Sequence, residues 1–161
     1  MAKVNVMFVC LGNICRSPLA EFVLKQKLEK AGLQDEVYVE SCGTANYHVG
    51  ENPDPRTISV ARKNGITINH KGKQLKRQHF DIFDILLVMD DSNKTNALKI
   101  AGDATEFELY KMRDFDDVEK GADVIDPWFG DGKGFDICYD TLDRCCNNLI
   151  TFLSDHDKML K

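Results

Sequence analysis

The chain opens on an apolar, β-branched run, Lys3 to Val9 (KVNVMFV), whose length suits a buried central strand rather than a helix. A helical period follows. Ala20, Val23, Leu24, Leu28 and Ala31 fall on one face, while Glu21, Lys25, Lys27 and Lys30 are expected to face water. Ser17 is placed as the N-cap, Pro18 as the first helical residue and Gly32 as the stop. The alternation then repeats: a strand at Glu36 to Ser41, a short helix at Thr57 to Asn64, a strand at Ile82 to Met89, a helix from about Ser92 to Ile100 and a strand at Glu106 to Tyr110. From Phe135 to about Leu153, Cys138, Leu142, Cys145, Leu149, Phe152 and Leu153 keep helical spacing and predict a terminal helix packed on the sheet. Repeated strand and helix predict an α/β fold, a doubly wound parallel sheet with ligands at the carboxyl ends of its strands. Cys10, Ser41 and Asp90 all fall at such ends. The least regular stretch, Arg113 to Gly134, is rich in acids and glycines, and loops of that length in compact domains are usually functional or mobile.

The first turn between strand and helix carries the candidate chemistry. Cys10-Leu-Gly-Asn-Ile-Cys-Arg-Ser17 places a thiol and a guanidinium six positions apart at a helix N-terminus, where unpaired backbone N–H groups and the helix dipole favour an anion. Arg16 adds a planar fork matched to two phosphate oxygens. Gly12 and Asn13 tolerate left-handed backbone angles, so a tight turn can aim successive amides of Leu11, Gly12, Asn13, Ile14, Cys15, Arg16 and Ser17 inward. Cys10, at the same positive site, is expected to act as its thiolate, with the Ser17 hydroxyl donating to the sulfur. The pattern reads as a phosphate cradle with a nucleophile at its floor, although a cysteine ending a buried strand is more often a plain core residue.

The sequence closely resembles the low-molecular-weight protein tyrosine phosphatases, through Val9 to Glu21 (VCLGNICRSPLAE), Val88 to Asn93 (VMDDSN) and Asp126-Pro127-Trp128. The resemblance spans essentially the whole length. It implies a single domain over residues 1–161, with a four-stranded parallel sheet flanked by helices and a phosphate loop between the first strand and first helix. It also implies hydrolysis of phosphotyrosine and other aryl phosphates with no cofactor and no metal. In that reading Arg16 and the loop amides bind the phosphate, and Cys10 attacks phosphorus. Asp126 protonates the phenolic oxygen and then activates water against the phosphocysteine.

A phenol of pKa about 10 leaves more readily with a proton donor. Pro127 restricts Asp126 to extended angles, and Trp128 can pack beside a bound ring. The resemblance further implies that Asn13 holds the loop through Ser41 and His70, that Asp90 supports the site near its rim, and that Cys15 captures oxidised Cys10 as a disulfide. Leu11, Tyr47, Trp128 and Phe129 are the candidate pocket walls. The common animal pattern has two tyrosines after the proline. Trp128 and Phe129 cannot be phosphorylated, so regulation through that pair is in doubt.

Composition adds bounds. The 161 residues, 43% hydrophobic and 29% charged, suit one soluble domain. The central apolar stretch Ile85 to Met89 is far short of a membrane span, and no secretory leader is visible at the N-terminus, so a cytoplasmic protein is expected. There six cysteines are expected to be free thiols. A net charge of −5 and a pI near 5.3 argue against a nucleic-acid surface. The expected partners are phosphotyrosine proteins and small aryl phosphates, with inorganic phosphate as product and competitor, and the expected state is a monomer. Two alternatives remain. A thioredoxin-coupled arsenate reductase of this fold needs further redox cysteines after the third strand, and Phe80 to Leu109 contains none. A phosphate-binding module would need the cradle but neither Cys10 nor Asp126.

Overall fold

In a computed structural model, which describes residues 1–130 and 132–161, four parallel strands run in the order β2-β1-β3-β4. They are β1 (Val4–Cys10), β2 (Val37–Gly43), β3 (Ile85–Val88) and β4 (Glu108–Lys111). The helices are α1 (Arg16–Lys30), α2 (Pro55–Lys63), a single turn α3 (His79–Ile82), α4 (Asp91–Ala101) and α5 (Lys133–Ser154).

The period of two along β1 divides the interior. Val4, Val6, Phe8 and Cys10 face a core shared with α1 and α5, whereas Met7 and Val9 join Leu86, Val88, Phe80 and Ala97 on the opposite face. Every one of these residues is buried. The chain leaves β1 for β2 on one side and returns to β3 on the other, so the strand order reverses at the carboxyl end of β1, where open α/β sheets bind ligands. The sequence Cys10 to Arg16 lies at that point.

Several local expectations need correction. Helix α1 begins at Arg16 with Cys15 at the N-cap, so Ser17 is no cap: its hydroxyl is turned inward to Cys10, and Pro18 is the third helical residue, still in the turn that needs no N–H acceptor. Glu21 does not face water but is 4% exposed, because Ser41 of β2 and His70 close over that side of α1. Helix α2 starts at Pro55 rather than Thr57, with Asp54 accepting from the Arg56 amide as N-cap. Ile82 belongs to α3 and is exposed, which shortens the third strand; the fourth starts two residues later than expected.

The acidic stretch before α5 is anchored. It contains two 3₁₀ turns, Met112–Phe115 and Pro127–Phe129. The carboxylate of Asp116, fully buried, accepts from Arg144 (2.7 and 3.1 Å), Arg113 (2.8 Å) and the Val118 amide (3.0 Å). Arg144 foremost holds this carboxyl well below the usual carboxylate range, against the opposing effect of burial. The Val124 amide bonds the Met89 carbonyl at 2.8 Å, which brings the segment back to the end of β3.

Candidate active site

Asn13 is the one non-glycine residue with positive φ (59°) among those described, and its side chain is the hub of the loop. Its Oδ1 accepts from the Lys73 amide (2.9 Å), which fixes the amide's orientation. The NH2 group therefore donates to Ser17 Oγ (2.8 Å) and Ser41 Oγ (3.0 Å). His70 Nε2 lies 2.8 Å from the same Oδ1 and must carry the proton to bond it. Ser41 in turn donates to Glu21 Oε1 at 2.6 Å. Burial pushes His70 below its ordinary value, opposed by Glu21.

This order propagates to the sulfur. Because Ser17 Oγ accepts from Asn13, its own proton is free for Cys10 Sγ at 2.9 Å, with the Cys42 carbonyl a longer alternative at 3.4 Å. The Asn13 amide donates to Sγ at 3.3 Å. The first amides of α1, without intrahelical acceptors, open on the same loop. Gly43 permits the close approach of loop and sheet, since a Cβ there would sit 2.6 Å from the Leu11 carbonyl oxygen.

Arg16, 3% exposed, reaches across the carboxyl ends of the strands. Its Nη1 donates to Asp90 Oδ2 (2.7 Å) and the Val124 carbonyl (2.9 Å), and Nη2 lies 3.6 Å from Asp126 Oδ2. Burial opposes its charge, but Cys10, Asp90 and Asp126 together outweigh that and hold the guanidinium ionised. Asp90 combines two roles. One oxygen caps α4 through the Asn93 amide (2.7 Å), and the other takes Arg16.

Cys10, Arg16 and Asp126 line one pocket of about 250 Å³, with Leu11, Gly12, Ile14 and Cys15 from the loop. Its outer walls are Tyr47, His48, Trp128 and Phe129. Tyr47 and Phe129 are largely exposed, so the walls stand as a rim around the mouth. Asp126 Oδ1 accepts from the Trp128 amide at 3.0 Å, which leaves Oδ2 directed toward Arg16. The Cys15 thiol is buried, and that burial, reinforced by Asp54, pushes it far above the ordinary thiol value. A wider groove of about 660 Å³ runs past Glu21, Tyr38 and Lys73 but has no nucleophile.

The low molecular weight phosphotyrosine protein phosphatase family model matches residues 5–159. The chain belongs to that family. A low molecular weight phosphotyrosine protein phosphatase from Saccharomyces cerevisiae is 44% identical over 137 residues, covering 83% of this chain and 85% of the relative. Among solved structures, a protein tyrosine phosphatase from Entamoeba histolytica with Hepes in its active site superposes with TM-score 0.90 at 34% identity, over 94% of this chain and 97% of the other. A Drosophila arginine phosphatase superposes with TM-score 0.87 at 30% identity, over 94% and 99% respectively.

Sequence reasoning missed four residues that border this pocket or support its loop and rim. Glu21 was hidden by its helical period, which placed it on the wet face. His48 gave no signal, since it packs against the loop through Gly12 and leans on Trp128 at 6.2 Å. Gly43 lies beyond the strand read at Glu36 to Ser41, whereas β2 runs on to include it. Arg56 was missed although Asp54-Pro55 is a readable helix start.

Proposed function

We propose that this chain hydrolyses phosphotyrosine and other aryl phosphate monoesters by a two-step mechanism through Cys10. The observation that carries the reading is the convergence of Cys10 Sγ, the Arg16 fork and the Asp126 carboxyl on one pocket. Arg16 and the loop amides take the non-bridging phosphate oxygens and follow them as phosphorus becomes trigonal. The thiolate attacks in line and forms the S–P bond, while the O–P bond to the phenol breaks. Asp126 gives its proton to the departing oxygen. The ionised Asp126 then takes a proton from water, whose oxygen displaces sulfur and releases inorganic phosphate. Ser17 supports the sulfur both as attacking and as leaving group, and Asn13, Ser41, His70 and Asp90 orient the loop and Arg16.

Trp128, Phe129 and Tyr47 favour a flat aryl group at the mouth. Phosphoarginine is the natural comparison substrate, because one structural relative is named an arginine phosphatase. The test is rapid acid-free quenching of enzyme with an aryl phosphate in chelator and reductant, followed by mass spectrometry. Phosphate on Cys10 is the expected result; turnover with an unmodified Cys10 at every time point refutes the mechanism.

The same reading gives Cys15 a protective role. Oxidation of Cys10 by peroxide yields a sulfenic acid, and the Cys15 sulfur displaces its oxygen as water to form a disulfide. Activity lost to peroxide is expected to return with a thiol reductant, and a Cys10–Cys15 cross-linked peptide to appear in between. Irreversible loss without that peptide would count against the role.

A further inference from the structure

We propose that Arg56 is a positioning residue that sets the aim of Asp126 by gripping the Trp128 ring. The proposal rests on the reading of Asp126 as proton donor. Trp128 is 44% exposed, so burial alone does not fix it, yet its amide is the donor that holds Asp126 Oδ1 at 3.0 Å. The Arg56 guanidinium stands 5.4 Å from the centre of the Trp128 ring and 4.6 Å from that of Phe135, which is buried in the first turn of α5. A cation beside an aromatic face is attracted to it, and a planar guanidinium can also stack.

The guanidinium is itself fixed. Its Nε and Nη2 donate to the two oxygens of Asp54 at 3.0 and 2.9 Å, and Asp54 is 6% exposed. The Asp54 amide also donates to the Ile14 carbonyl of the phosphate loop at 2.9 Å. The start of α2 therefore touches the nucleophile's loop through Asp54 and the acid's turn through Arg56. Arg56 does not itself line the substrate pocket, whereas the Trp128 that it holds does. Its influence on the reaction runs through Trp128 to the Asp126 carboxyl, which connects the spacing of acid and nucleophile to a helix outside both.

The experiment compares kcat/KM for phenyl phosphate, a poor leaving group, with that for 4-nitrophenyl phosphate, in Arg56→Met, Arg56→Lys, Asp126→Asn and the Arg56→Met/Asp126→Asn double variant. Misplacement of the acid is expected to cost Arg56→Met about 10-fold to 10²-fold with phenyl phosphate and roughly 3-fold or less with the activated ester. Arg56→Lys keeps the cation without the flat fork and should fall between. In the double variant the Arg56 change should add nothing to Asp126→Asn. The chain has one tryptophan, so its fluorescence reports Trp128 directly: acrylamide quenching should rise in Arg56→Met. Equal losses with both substrates, or an undiminished Arg56 effect on the Asp126→Asn background, would overturn the proposal while leaving the acid reading intact. An Asp126→Asn loss blind to the leaving group would remove both.

Discussion

Cys10→Ser enzyme is expected to release essentially no phosphate from an aryl monoester, a loss on the order of 10⁴–10⁶, while still binding inorganic phosphate. The surroundings of the sulfur explain the size of the effect. The Ser17 hydroxyl at 2.9 Å and the Asn13 amide at 3.3 Å are placed to steady negative charge on sulfur, and neither of these two groups is a base able to remove a proton from a serine hydroxyl at that position. A serine is therefore left as a neutral, weak nucleophile. Binding should survive because Arg16 keeps Asp90 and the Val124 carbonyl, neither of which depends on Cys10. Trp128, the sole tryptophan, lines the pocket, so its emission during phosphate titration separates binding from chemistry. Retention of more than about a tenth of the activity would exclude Cys10 as nucleophile.

The second large effect is expected at Asp126. Asp126→Asn should reduce kcat/KM for phenyl phosphate by roughly 10²–10⁴, with a much smaller loss for esters whose phenols leave unaided. Asparagine preserves the bond from the Trp128 amide and removes only the transferable proton and the charge near Arg16, so the pocket's shape is held constant. Phosphate affinity should stay the same or rise, because Asp126 Oδ2 no longer places negative charge 3.6 Å from Arg16 Nη2. A uniform loss across leaving groups would assign Asp126 a structural role instead.

The parts of this molecule that could be read in advance are those where one local rule decides. The run through Val9 is apolar on both faces of the strand, and both faces of β1 are covered by core, so its central place followed directly. The turn after it combines residues that each suit an anion-binding loop, and Asn13 does adopt the left-handed angles expected of it. What was illegible depends on partners distant in the chain. Glu21 sits at a position that is polar by helical period, but Ser41 and His70, from two other segments, reach it and bury it. Asp116 looks like any acid in an acidic loop until Arg144 arrives from α5. Ser17 obeyed the rule for a helix cap and was drawn away by a sulfur seven residues earlier. The Asp126 turn was found by resemblance, and its grip by Arg56 only from the fold.

The double duty of Asp90 limits how this scaffold can be redesigned. Each oxygen has a fixed recipient, the Asn93 amide on one side and the Arg16 fork on the other. A glutamate would displace the carboxyl by a methylene, and an asparagine would present an NH2 group to one of two donors. The first turn of α4 therefore cannot drift in sequence as an ordinary surface helix start can: a mutation there that looks neutral for folding is inherited by the guanidinium, and the helix and the anion site must evolve as one unit.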